Sequence, residues 1–172
     1  MPRSLIVGNG SMLATFDKNL QMRDFYFPYV GMEDHTMYGH VHHAGVMVEG
    51  RGFAWFDDDS WDITPEYRVE TLVGHSTMRN EKLGIDVTVQ DFVHPIYNIL
   101  VRDFHVRVIG NEPLTVKFFF SHDLHIYGDK QKDTAFYEPY TNSIIHYRGQ
   151  RYFLIGGRSS NPVQCVTGRQ GG

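Results

Sequence analysis

Two histidine-containing stretches are the first places to look for chemistry. Residues 118–129 read FFFSHDLHIYGD, three phenylalanines running into His122, Asp123 and His125, and residues 40–43 read HVHH. Imidazole and carboxylate are common zinc ligands, and zinc takes four protein ligands in a structural site or three plus water in a catalytic one. Side chains alternate along an extended strand, so His122 continues the face of Phe118 and Phe120 while Asp123 and His125 share the other. That joins two ligands and supplies no third. It favours a polar strand end bonded to the turn at 127–129 over a metal centre.

The H-x-H of His40 and His42 is similar to the metal motif of cupins, small β-barrels in which a glutamate follows after three or four residues. Here six residues separate His42 from Glu49. The reading is therefore a partly exposed strand carrying neutral imidazoles. Carboxylates offer a second route, since glycoside hydrolysis needs two acids either ~5 Å or ~6.5–9.5 Å apart across a bond. Glu33 and Asp34 are adjacent, so on a strand they point to opposite faces, and only on a loop could they converge. The run from Asp57 to Asp62 lacks the glycine and terminal glutamate of a calcium-binding loop and reads as a solvated turn. The chain has no G-x-S-x-G, no P-loop and no dinucleotide-binding glycine pattern. The residues alone name no catalytic set, and no metal or cofactor is expected.

Composition bounds what the remaining residues can do. A chain of 172 residues with 41% hydrophobic content fits one globular domain with a substantial core. The formal net charge of −4 is spread along the chain, so the concentrated basic surface that nucleic acid requires is missing. One cysteine, Cys165, excludes an internal disulfide framework. The opening MPRSLIVGNG is too short in apolar residues for a signal peptide, and no run approaches the ~20 apolar residues of a membrane span. A cytoplasmic protein is the expectation.

The elements that must position these residues read as strands. Turn residues recur at short intervals between runs rich in Val, Ile, Phe, Tyr and Thr. In ILVRDFHVRVI, Leu100, Phe104, Val106 and Val108 share one face and Val101, Asp103, His105 and Arg107 the other. The next run sets Leu114, Val116, Phe118 and Phe120 against Thr115, Lys117 and Ser121, and residues 110–113 between the two runs predict a hairpin. A second hairpin is predicted in SIIHYRGQRYFLIG, with Gly149 first in a two-residue turn. No window carries sustained helical spacing. The fold class is all-β, an antiparallel two-sheet sandwich filling residues 1–172.

The aromatic load is high, 12 Phe, 10 Tyr and 2 Trp. In RDFYFPYVGMEDH the rings of Phe25, Phe27 and Tyr29 alternate with Tyr26 and Pro28, so both faces are apolar and both must be covered. Pro28 cannot donate to a ladder and marks an edge or strand end. Such a segment needs a partner surface, either sugar rings or another domain.

Four stretches, RSLIVGNGSMLATFDKNLQMRDFYFPYVGMEDH, FVHPIYNILVRDFHV, FFFSHDLHIYGDKQKDTAFYEP and IIHYRGQRYFLIGG, resemble in order the N-terminal β-sandwich domain of prokaryotic glucoamylase-like and trehalase-like enzymes, the family-fifteen glycoside hydrolases. In that family the sandwich, a super-sandwich, precedes a barrel of paired α-helices whose two glutamates perform an inverting hydrolysis of α-linked glucans or trehalose. Nothing in these 172 residues resembles the barrel, so the resemblance assigns no catalytic residue here and implies an inactive segment of an active parent. It also implies that the last strands of the sandwich lie beyond NPVQCVTGRQGG. The partner expected is the α/α barrel, in cis or as a separate chain, with an α-glucan or trehalose reached through the parent enzyme. The surface assigned to that contact is residues 23–35, with Arg23, Asp24, Tyr26, Pro28, Tyr29, Gly31 and His35 at an inter-domain or binding rim. The alternative is a free-standing carbohydrate-binding sandwich; a cupin-like metalloenzyme ranks below both.

Overall fold

The computed structural model describes residues 3–36, 42–129 and 133–159. The chain divides into two compact units, Met1–Asp123 and Leu124–Gly172. His40, Cys165 and the terminal NPVQCVTGRQGG lie outside the described residues. The described residues contain strands and a single 3-10 turn, with no α-helix, in agreement with the all-β expectation.

In the first unit, β1 (Leu5–Gly8), β2 (Leu13–Phe16) and β3 (Met22–Tyr26) form one antiparallel sheet. β4 (His43–Val48) runs between β5 (Gly52–Trp55) and β10 (Val116–Ser121) in a second. These two sheets meet through an antiparallel bridge between Met22 and His42. The third sheet is β6 (Asp62–Thr64), β7 (Gly74–Asn80), β8 (Ile85–Val93) and β9 (Leu100–Val108), in that order. It lies face to face with the other two: Phe104 of β9 packs 5.1 Å from Phe118 and 5.3 Å from Phe120 of β10. A two-layer sandwich results, as the period-two patterning requires.

β8 shows why the layers close. Every second residue is buried, Ile85, Val87, Val89, Asp91 and Val93, while the intervening positions are half-exposed. Burying each aliphatic side chain contributes ~1.5–3 kcal/mol. Asp91 interrupts this apolar row at zero exposure, and Arg102 of β9 answers it across the ladder, Nε donating at 2.7 Å. The same guanidinium donates to the Leu20 carbonyl at 3.0 Å and lies 4.5 Å above the Phe16 ring. One buried ion pair thereby ties the two layers together.

The hairpin expected over residues 110–113 does not form. β9 pairs with β8 through nine residues and β10 pairs with β4, so the connection crosses from one layer to the other. The alternating faces of both runs are real, but each is an inner face. Aromatic surface is covered when Phe104 meets Phe118 across the core, with Phe120, 45% exposed, at its margin, whereas side-by-side pairing would leave those rings on one sheet.

The second unit holds β11 (Thr134–Glu138), β12 (Ser143–Arg148) and β13 (Arg151–Gly156) in a three-stranded antiparallel sheet. Here the predicted hairpin is present: Arg148 pairs with Arg151, and Gly149 takes the positive φ of 57° that a tight turn demands at its first position. The 3-10 turn Ile126–Gly128 precedes this sheet, with Arg148 reaching the Ile126 carbonyl and the Asp129 carboxylate.

Candidate functional site

The structure joins one residue from each histidine stretch. β10 ends at Ser121, and His122 continues its inner face, stacked 6.4 Å from Phe120. His42, buried just before β4, brings its Nδ1 within 2.9 Å of the His122 Nδ1. A hydrogen bond at that distance requires one nitrogen to carry the proton and the other to accept it. Among the described residues no group of three or more His, Cys, Asp or Glu is placed to hold a metal. His42 and Glu49 stand at opposite ends of β4, about 20 Å apart at the rise of a strand, so they do not form a cupin set. The alternation that paired Asp123 with His125 stops with the strand, and the two residues belong to different compact units. FFFSHDLHIYGD is thus a packing stretch: Phe118 and Phe120 turn toward Phe104, Phe119 faces outward, His122 meets His42, and a turn is closed by Gly128 N donating to the His125 carbonyl.

The acidic candidates have structural work. Asp57, Asp58 and Asp59 are exposed in the turn after β5, where Asp58 accepts from Trp55 N. Asp34 Oδ1 accepts from the backbone of Phe25 and Thr36 and from the Thr36 hydroxyl.

The segment 23–35 is a strand end followed by an excursion. Arg23 binds Asp17 at 2.6 Å and Gln21 at 3.1 Å, and Asp24 is gripped through both oxygens by Arg3 and by the Thr15 hydroxyl. Neighbouring strand positions face opposite ways, which is why the two residues have different partners. The Arg3 hydrogen bonds, with that of Thr15, hold the Asp24 carboxyl below the usual carboxylate range against the opposing effect of burial. Phe25 is buried, Tyr26 is half-buried at the end of β3, and residues 27–34 then leave the sheet and return to bridge Tyr26 with Asp34. His35 is wholly buried, its Nε2 2.5 Å from the Phe27 carbonyl, so it shapes the excursion from inside. Pro28 is half-buried and Gly31, at the tip, has a φ of +79° with open space around it. Only the tip projects, with Tyr29 57% and Met32 83% exposed.

That tip has neighbours which the sequence reading did not connect to it. Gly8 and Tyr26 both pair with Leu13, so the β1–β2 turn and the excursion occupy the same end of their sheet. Asn9 in that turn donates to the carbonyls of His94 and Tyr97, fixing the β8–β9 connection there. Leu72, from the connection into β7, lines a cleft with Gly8, Asn9, Phe92 and Pro95. One end of the sandwich therefore gathers exposed Tyr29, Met32, Val69, Leu72, Ile96, Tyr97 and Ile99. Apolar side chains clustered on exposed connections mark a contact surface. The signal available in advance was HPIYNI, an apolar loop between two strands.

No family model matches the chain, and no solved structure matches it. The chain is similar to an uncharacterized glycosyl hydrolase of Methanocaldococcus jannaschii, 31% identical over 162 residues, which cover 93% of this chain and 25% of that protein. Among the described residues no helix is long and apolar enough to cross a membrane. The chain is thus related to a glycosyl hydrolase over nearly all its length, and it spans about a quarter of the relative it matches.

Proposed function

We propose that this chain is the non-catalytic N-terminal β-sandwich of a glucoamylase-like, inverting glycoside hydrolase, and that it docks on and supports a catalytic α/α barrel. The observation that carries the reading is the apolar loop end of the first unit, where Tyr29, Met32, Val69, Leu72, Ile96, Tyr97 and Ile99 all face solvent. Unpaired, these side chains are an aggregation hazard; against a second domain they become the apolar centre of an interface. The similarity to a glycosyl hydrolase about four times as long supports the presence of such a partner. The substrate of the parent is an α-glucan or trehalose, hydrolysed by two glutamates of the barrel.

The test is to express this chain and the remainder of the parent polypeptide separately and mix them. Association lost in a Tyr29→Ala/Met32→Ser/Tyr97→Ala variant that keeps its far-ultraviolet spectrum supports the reading. Association unaffected by those changes, or a reading frame that ends without a barrel in any neighbouring gene, overturns it.

A further inference from the structure

The sheet β10-β4-β5 has two dissimilar faces. Toward the core it turns Ala44, Val46, Val48 and Ala54, all buried. The register places His43, Gly45 and Met47 on the outer face, flanked by Phe53 and Trp55 of β5 on one side and Lys117, Phe119 and Ser121 of β10 on the other. Three aromatic rings therefore sit together on the solvent side, with Phe53 42%, Trp55 36% and Phe119 43% exposed. Phe53 is the middle ring and stands edge-on to both neighbours, its centroid 4.7 Å from Trp55 at an interplanar angle of 87° and 5.7 Å from Phe119 at 77°.

Gly45 explains how the rings lie. A Cβ there would fall 2.6 Å from Phe53 Cζ and 2.7 Å from Trp55 Cε3, so both rings rest on bare backbone that any other residue would occupy. Covering a strand glycine with neighbouring rings stabilises a sheet and accounts for Phe53 and Trp55. It does not account for Phe119, nor for a polar flank beside Trp55. There His43 packs 5.8 Å from the indole and its Nδ1 lies 3.9 Å from the Asp57 carboxylate, both groups being partly open to solvent.

An aromatic platform bordered by an imidazole and a carboxylate matches one chemical class well. A pyranose ring presents a C–H face that stacks on an aromatic ring and equatorial hydroxyls that hydrogen-bond at its edge. Phe119 and Trp55 sit on strands two spacings apart, about 10 Å, wide enough for roughly two linked sugar rings. A protein partner fits less well, since a stable interface covers ~800 Å² per side and three rings hemmed by Lys117, Asp57 and Asp58 offer only part of that. The platform is built on strands, so it is pre-formed.

We infer that the outer face of β10-β4-β5 is a carbohydrate-binding site, in which Trp55 and Phe119 stack on pyranose rings of an α-linked glucan, Phe53 stands edge-on between them as a spacer, and His43 with Asp57 take its hydroxyls. The choice of α-linked glucose rests on the proposed function; the platform does not.

The chain has two tryptophans, Trp55 on the platform and Trp61 in the core, so indole emission reports the site once Trp61→Phe has removed the second signal. Titration with maltoheptaose is expected to give a saturable change in Trp55 emission. Phe119→Ala and Asp57→Asn, both at exposed positions and read in the same Trp61→Phe background, are each expected to raise Kd at least tenfold, about 1.4 kcal/mol. Calorimetry with Trp55→Leu extends the test to the indole itself. Tyr29→Ala, at the loop end, leaves sugar binding unchanged, so failure of the docking reading and failure of this one are separable. A saturable response to cellohexaose alone, abolished by Phe119→Ala, supports the platform and overturns the α-linkage. No saturable response to either sugar, or binding that survives Phe119→Ala and Trp55→Leu, overturns the site.

Discussion

Changing Asp91 to Asn leaves the Arg102 guanidinium inside the sandwich without its counter-charge. Asp91 is fully buried, and Arg102 is held by that carboxylate, by the Leu20 carbonyl and by the ring of Phe16. Breaking a buried pair by removing one partner costs ~3–5 kcal/mol. The low end, about 3 kcal/mol, applies because the amide oxygen still accepts one hydrogen bond. For a chain of this size that is a fall of roughly 10 °C in Tm, read by thermal unfolding at 218 nm and matched by the midpoint in urea. Arg102→Met alone should cost at least as much, since it strands the carboxylate. The double change Asp91→Val with Arg102→Met fills the same space with apolar atoms and should recover most of the loss, apart from about 1 kcal/mol for the unmet Leu20 carbonyl. If the double variant unfolds as early as Asp91→Asn, the pair's charge is not what the core is compensating and the reasoning fails.

Further outcomes follow from the same geometry. Asp24 has its pKa lowered in the folded state, so its pairing with Arg3 stabilises above the unfolded carboxylate value of ~3.9 and is lost as pH falls through the folded one. Asp24→Asn should therefore cost about 1 kcal/mol at pH 7, and that difference should shrink progressively as pH falls below the unfolded carboxylate value of ~3.9, by urea unfolding across pH. The isolated chain should release no glucose from maltooligosaccharides or trehalose, because no pair of catalytic glutamates is assigned to it; release above a heat-killed control contradicts this. Tyr29→Ala and Met32→Ser, at exposed tip positions, should each change stability by less than about 0.5 kcal/mol, and a loss several times larger would place them in the core.

What could be read from the sequence divides by range. Period-two alternation in residues 100–108, and the Gly149 turn, were legible because strand faces and tight turns are local properties. Which strand pairs with which is not local: β10 finds β4, seventy residues back, because its aromatic face is needed opposite β9. The same limit hid the contacts of Arg3 with Asp24 and of His42 with His122.

Asp91 and Arg102 mark a middle case. Each sits in phase with an apolar row, Ile85, Val87, Val89 and Val93 for one, Leu100 and Phe104 for the other, and a charge in phase with a core face is costly unless another answers it. Two opposite charges in consecutive apolar rows therefore predict both the pairing of the strands and its register, which places Asp91 opposite Arg102. The outer platform obeys the converse logic. Phe53, Trp55 and Phe119 are out of phase with the buried Ala44, Val46, Val48 and Ala54, so their exposure is built into the alternation. Rings held out of phase beside a bare glycine contribute little to the core, which is why that face reads as a binding surface.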